Sequence, residues 1–186
     1  LLGGRRGVCT TMETRGENSH LEFTVPARGL IGVRNRMMTA TNGMAIMHHN
    51  FYEYEYLRGA IPGRANGVLL AIETGQVTAF AIDGLTDRGV LFVGPGVQVY
   101  AGQIVGEHNR ENDLGVNICR AKKMTNMRAA SSDKTVVLKP PRDMTLELAL
   151  EFIEDDELVE CTPDGVRLRK RMLTEQDRRR ATRSGK

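Results

Sequence analysis

Two stretches of this 186-residue chain gather side chains that could do chemistry. The first is Glu107-His108-Asn109-Arg110-Glu111-Asn112-Asp113. It sets an imidazole among carboxylates, as a general base with an orienting acid requires. A small hydrolase using His108 with Glu107 or Asp113 is one reading. A hydrogen-bonded turn is the plainer one, because no nucleophile or oxyanion donors accompany the group. The second stretch runs over 119–134 and carries Arg120, Lys122, Lys123, Arg128 and Lys134, together with Asn126 and several Ala and Ser residues. Cationic and amide donors beside small residues that let a backbone come close are what phosphate contact needs. No aromatic residue occurs between Tyr100 and Phe152, so the stretch lacks rings on which single-stranded binders stack bases. Its chemistry suits the backbone of a folded RNA, read by shape and charge. The alternative is a solubilising basic loop.

The charge distribution agrees with polyanion contact. The whole chain is +3 at pH 7, but the tail 165–186 holds nine basic residues against two acids. That +7 leaves −4 for everything else. Residues 110–142 add a second basic zone of eight bases and three acids, and 143–160 between them carries eight acids and no base. Arg169, Lys170 and Arg171 in the tail are therefore further candidate phosphate contacts. The acidic stretch, centred on a helix over 145–155, supports an alternative: a protein-interaction module that meets a basic partner.

Other chemistries find no residues to carry them. There is no GxxxxGK[ST] phosphate loop, no GxSxG and no HExxH. His48 and His49 are adjacent, so on a strand they face opposite ways and do not share a metal. Cys9, Cys119 and Cys161 are few, odd in number and far apart, which argues against a disulfide framework or a cysteine zinc site and suits a reducing cytoplasm. No apolar run is long enough to form a membrane-spanning helix. Catalytic, metal and small-molecule sites are expected to be absent.

The elements that position these residues follow from periodicity and turn signals. Residues 7–13 and 20–25 read as a β-hairpin about the turn Arg15-Gly16-Glu17-Asn18, with Leu21, Phe23 and Val25 on a buried face. Residues 27–39 read as a helix despite Gly29 and Gly32, and 44–54 as a strand. The order β-β-α-β is the back of a split βαβ unit, with its first strand and helix lacking. The Gly/Pro-rich segment 58–66 reads as a connector. Beyond it come predicted strands at 67–73 and 76–82 joined at Thr74-Gly75, a short helical turn from Asp83, strands at 90–93, 97–100 and 103–106, and a long loop over 107–134. A strand at 135–138 follows. Thr145 caps a helix whose Leu146, Ala149, Leu150 and Ile153 form an apolar stripe, with Glu147, Glu151 and Glu154 facing out. Strands at 157–161 and 166–169 pair about Pro163-Asp164-Gly165, and 174–183 is a polar helix or disordered. The many short strands suggest a barrel-like or sandwich β core.

Several of these segments carry a resemblance: VPARGLIGVRNRMMT (25–39), GAIPGRANGVLLAIETGQVTAFAI (59–82), GEHNREND (106–113), KKMTNMRA (122–129) and EFIEDDELVE (151–160). In this order they resemble the C-terminal half of the TypA/BipA translational GTPases. The resemblance implies an α+β chain: a truncated ferredoxin-like segment over 1–57, like domain V of elongation factors, a connector at 58–66, and a mainly β family-specific C-terminal domain with one amphipathic helix over 67–186. It implies a cytoplasmic, ribosome-binding region, linked to stress adaptation and large-subunit assembly. Its partners would be ribosomal RNA and the tRNA acceptor arm, met through loop 119–134 and the basic tail. GTP and magnesium would be bound only by an N-terminal domain outside this sequence. Cys119, Ser131 and Ser132 depart from the family's loop without altering its charge pattern.

Overall fold

A computed structural model describes residues 1–57, 59–61, 63–121 and 138–184. The chain is α+β and divides into two compact units, Leu1–Gly63 with Leu150–Phe152, and Arg64–Ala149 with Ile153–Lys186.

The first unit is built on a hairpin of β1 (Val8–Arg15) and β2 (Asn18–Thr24), antiparallel from Val8↔Thr24 to Arg15↔Asn18. Gly16 sits at φ 64°, the left-handed value that a two-residue hairpin loop asks of its first residue. The alternation of Leu21, Phe23 and Val25 is present, but it does not bury a face: Leu21 and its partner Met12 are both exposed. The predicted helix over 27–39 is broken in two. A 3₁₀ turn spans Ala27–Leu30, and α1 covers Val33–Ala40. Gly32 between them has φ 72°, which ends one turn and starts the next. A Cβ there would also meet the Glu151 carboxylate, which would have to shift to admit it. The strand expected over 44–54 does not form. Its β-favouring residues are present, but a strand exists only where a neighbour takes its N–H and C=O groups, and no described segment pairs with it.

The second unit is built on a six-stranded sheet. β3 (Val68–Ala71) pairs antiparallel with β7 (Gln103–His108) and parallel with β8 (Leu114–Val116). The other edge of β7 is divided: β5 (Gly89–Leu91) takes 106–108, and β10 (Gly165–Lys170) takes 103–104. β10 in turn pairs with β9 (Glu157–Thr162) about Pro163 and Asp164. Strand β3 reads as a continuous apolar run because neighbours and packing cover it throughout, and in β7 Ile104 and Val105 are buried with the polar Gln103 and His108 at its ends. The core gathers Leu69, Val105, Val116 and Ile118 from the sheet side with Ala81, Ile82 and Leu85.

The last three residues correct the second predicted strand. Residues 76–82 yield only the short β4 (Gly75–Gln76), which pairs with β6 (Gln98–Val99) rather than with β3. The chain then enters α2 (Ala79–Leu85). Thr78 Oγ1 accepts the Ala81 N–H at 3.2 Å, an N-cap that outweighs the strand-like look of the run. The parallel strand β8 lies inside what reads in sequence as an unstructured loop. The predicted strand at 135–138 lies largely outside the described residues. α3 (Leu146–Phe152) starts at the expected cap, Thr145 Oγ1 accepting from Leu148 N–H at 3.3 Å. Its predicted stripe is only partly covered, with Ala149 buried but Leu146 and Leu150 exposed. α4 (Glu175–Arg183) is capped by Thr174 and buries no residue.

Candidate nucleic-acid interface

The basic stretch leaves the core at Ile118–Arg120 and returns to it at Leu138. On the outgoing side, Ile118 is buried and Cys119 packs against the core cluster. Thr78 holds this side twice: its N–H donates to the Ile118 carbonyl at 3.2 Å, and its hydroxyl donates to the Arg120 carbonyl at 2.6 Å. Burial, with a smaller push from Glu73, raises the Cys119 thiol above its ordinary value, so it stays protonated and acts as a small apolar side chain. On the returning side, Leu138 packs against the same cluster. Arg142 N–H then donates to the Leu91 carbonyl at 2.8 Å, and its guanidinium pairs with Glu107 at 2.7 Å.

An arginine lies over an aromatic ring at each side. Arg120 sits 6.0 Å from the Phe80 ring centre, and Arg142 sits 5.7 Å from that of Phe92. Of the residues predicted to contact RNA, Arg120 is exposed. Lys122, Lys123, Asn126, Arg128 and Lys134 lie outside the described residues.

The three tail candidates separate. Arg171 is exposed, and its N–H donates to the Asp156 carbonyl at 2.8 Å. Arg169 is half-buried against Glu160 at 2.5 Å. Lys170 departs from the expectation altogether. It is 2% exposed, and its Nζ contacts Asp113 at 2.7 Å, Asp156 at 2.8 Å and Glu157 at 2.9 Å. Burial alone would lower its pKa. Hydrogen bonds to the three carboxylates, with the charge of Glu157, overcome that and hold it above the ordinary lysine range. Alternation along β10 turns Lys170 inward with Leu168, and an ammonium so enclosed has no donor left for a phosphate.

Arg64 completes this network and is not legible in the sequence, where it reads as connector. Its guanidinium grips Glu157 at 2.5 Å through both terminal nitrogens and reaches Glu154 at 3.5 Å. Burial works against its charge, and Glu157 first, then Glu154 and Asp113, raise it above its ordinary value.

The His108 cluster serves as a structural clasp. His108 is buried at the end of β7 and its Nδ1 lies 2.6 Å from the Asn112 carbonyl. A carbonyl only accepts, so Nδ1 carries the proton. Asp113 Oδ1 accepts the Val68 N–H at 2.9 Å while its other oxygen meets Lys170. Asn109 donates from its backbone to Arg88 and from its side chain to Asp87, and Asn66 donates to Glu107 at 3.3 Å. Each polar group of the motif that would serve catalysis is engaged in tying β7 to the starts of β3 and β5. Among the described residues no three His, Cys, Asp or Glu side chains converge as metal ligands, and no helix is long and apolar enough to cross a membrane.

Comparison with known proteins assigns this arrangement. The family model described as the TypA/BipA C-terminal domain matches residues 66–175, and that of the elongation factor G C-terminus matches residues 1–65. The chain belongs to the TypA/BipA family. The large ribosomal subunit assembly factor BipA of Escherichia coli (strain K12) is 52% identical over 187 residues, covering 100% of this chain and 31% of that protein. The proteins of the same name from Bacillus subtilis (strain 168) and Synechocystis are 44% identical over 187 residues and 48% identical over 170. They are covered to 31% and 28% of their lengths, by 100% and 91% of this chain. The chain thus spans under a third of the TypA/BipA relatives it matches.

Proposed function

We propose that this chain is the ribosome-docking C-terminal region of a translational GTPase that assists assembly of the large ribosomal subunit. It performs no chemistry itself and contacts ribosomal RNA and the tRNA acceptor arm through the basic stretch 119–134. GTP and magnesium are bound outside these residues, and the protein works in the cytoplasm. The observation that carries the reading is membership of a family whose relatives are named large ribosomal subunit assembly factors. The packing of Cys119 and Leu138, on either side of the residues between, against one buried core supports it, because fixed flanks lower the entropy lost when the cations between them settle on phosphates.

The internal pairing of the acidic segment weighs against a protein-interaction module. Glu151 meets Arg5 at 2.5 Å and Arg36 at 2.5 Å, Glu154 and Glu157 meet Arg64, Asp156 meets Lys170, and Glu160 meets Arg169. Binding to large ribosomal subunits, followed by filter retention across a salt series, tests the proposal. Counterion release predicts an affinity that falls steeply with salt. Replacing Lys122, Lys123 and Arg128 by Ala should flatten the log–log slope by about two to three units without moving the melting temperature. Salt-insensitive binding, or an unchanged slope in the triple variant, would refute it.

A further inference from the structure

The sequence places no ring within the basic stretch, but the fold brings one to it. Phe80 belongs to α2, forty residues upstream of Arg120, and is 42% exposed. The Arg120 guanidinium lies over it at 6.0 Å. The pair at the other side of the stretch shows what a purely structural version looks like. There Arg142 covers the half-buried Phe92 while its charge is neutralised by Glu107. Among the described residues Arg120 has no such carboxylate, and its backbone rather than its side chain is what Thr78 fixes. An exposed ring, an arginine plane beside it and a held backbone make a stacking platform: aromatic faces and guanidinium planes are the two surfaces on which unpaired bases stack.

We infer that Phe80, with Arg120, stacks one unpaired base of the bound RNA, so that the interface reads a splayed-out nucleotide as well as backbone phosphates. The inference rests on the RNA-binding function proposed above. It replaces the expectation of contact by shape and charge alone, which follows from the absence of aromatics in the stretch itself. The base is recognised by its π-face, so any of the four suffices.

The test compares two RNA hairpins of equal stem length, one blunt and one with a four-nucleotide single-stranded 3′ overhang containing 2-aminopurine, bound to the whole chain. The wild type should prefer the overhang by about five- to a hundred-fold, the range of one aromatic–base stack, and should quench the 2-aminopurine fluorescence. Phe80→Leu keeps an apolar side chain under Arg120 without the π-face, and should abolish both preference and quenching while leaving blunt-hairpin affinity and its salt slope unchanged. Phe80→Tyr should keep both. Arg120→Ala should lower the salt slope by about one unit in addition to weakening the preference. A preference that survives in Phe80→Leu, or wild-type binding to the overhang without quenching, overturns the inference and leaves the proposed function standing. Wild-type binding to neither hairpin nor ribosome overturns both. Quenching in the wild type is read without any variant, so a Phe80 variant that fails to fold leaves the test intact.

Discussion

Replacing Lys170 by Met separates a structural cation from an RNA contact in a residue whose sequence context, Arg-Lys-Arg, suggests the latter. Methionine keeps most of the length and removes the charge. The loss leaves Asp113, Asp156 and Glu157 without their shared counter-ion. Breaking a buried pair by removing one partner costs about 3–5 kcal/mol, and the geometry places this case at the lower end. Glu157, whose side chain is fully enclosed, keeps its two bonds from Arg64, and the Asp156 and Asp113 side chains are 60% and 36% exposed and regain water. We expect a loss of about 3 kcal/mol, or a melting temperature lower by roughly 10–12 °C for a unit of this size. Arg171→Ala next to it, at an exposed position, should move the melt by under about 2 °C. The pH dependence has a definite sign. The folded-state pKa of Lys170 lies above its ordinary value of 10.5, so its contribution is fully present below 10.5 and is lost only as pH rises through the folded value. The difference between wild type and Lys170→Met should therefore stay flat from neutral pH to about pH 9 and shrink in stronger alkali. Thermal melts at several pH values measure this, with RNA affinity scored per folded molecule. A variant that melts with the wild type yet binds RNA less tightly would refute the buried-network reading.

Two further perturbations follow from close approaches and burial. Gly32→Ala places a Cβ on a left-handed backbone and into the Glu151 carboxylate that holds Arg5 and Arg36, so denaturant titration should show a loss of roughly 2–3 kcal/mol. Gly43→Ala, at φ 84° with nothing near its Cβ, incurs the backbone strain alone; equal losses in the two variants would show that Glu151 yields freely. The Tyr100 hydroxyl is pushed above the ordinary tyrosine value by burial and by its 2.5 Å hydrogen bond to Glu160. Near-ultraviolet titration should show a late-ionising phenol that disappears in Tyr100→Phe. Its stabilisation is present below about pH 10 and is lost as pH rises through the folded value.

Local signals recover what local physics decides. The turn at Gly16, the cap at Thr145 and the hairpin about Pro163-Asp164 depend on a few neighbouring residues, and all are legible in the sequence. The failures fall where a distant partner decides. The strand over 44–54 has the right residue types and no pairing neighbour among the described residues. The run 76–82 alternates like a strand, yet Thr78 caps a helix whose Ile82 and Leu85 the core takes up. β8 is only three residues long and exists because β3 runs parallel beside it. Periodicity puts Glu151 in water, on the face opposite Ala149, and it lies instead between Arg5 and Arg36. Arg64 and Phe80 escape for the same reason: nothing near either in sequence announces a partner 93 or 40 residues away.

The charge arithmetic shifts its meaning once pairs are assigned. The tail's excess of seven suggests a polyanion surface equal to or stronger than the central stretch. In the fold, Lys170 is enclosed by three carboxylates and Arg169 meets Glu160. Arg178 donates to the carbonyls of Met172 and Leu173, and Arg179 meets Glu175 at 2.5 Å. A cation already paired offers little to a phosphate, since the new contact must first undo the old one. Glu151, Glu154, Asp156, Glu157 and Glu160 of the acidic segment are engaged in the same way. Two cations of the tail, Arg169 and Lys170, are thus matched by the acidic segment, and its other pairs reach back to Arg5, Arg36 and Arg64. What remains unmatched among the described residues of the basic stretch is Arg120, beside an exposed ring. On the proposed function, RNA recognition then centres on 119–134 and its outgoing side. The distinctive GEHNREND motif becomes a clasp for β7 rather than a site of chemistry: its carboxylates and imidazole hold the end of β7 against the starts of β3 and β5.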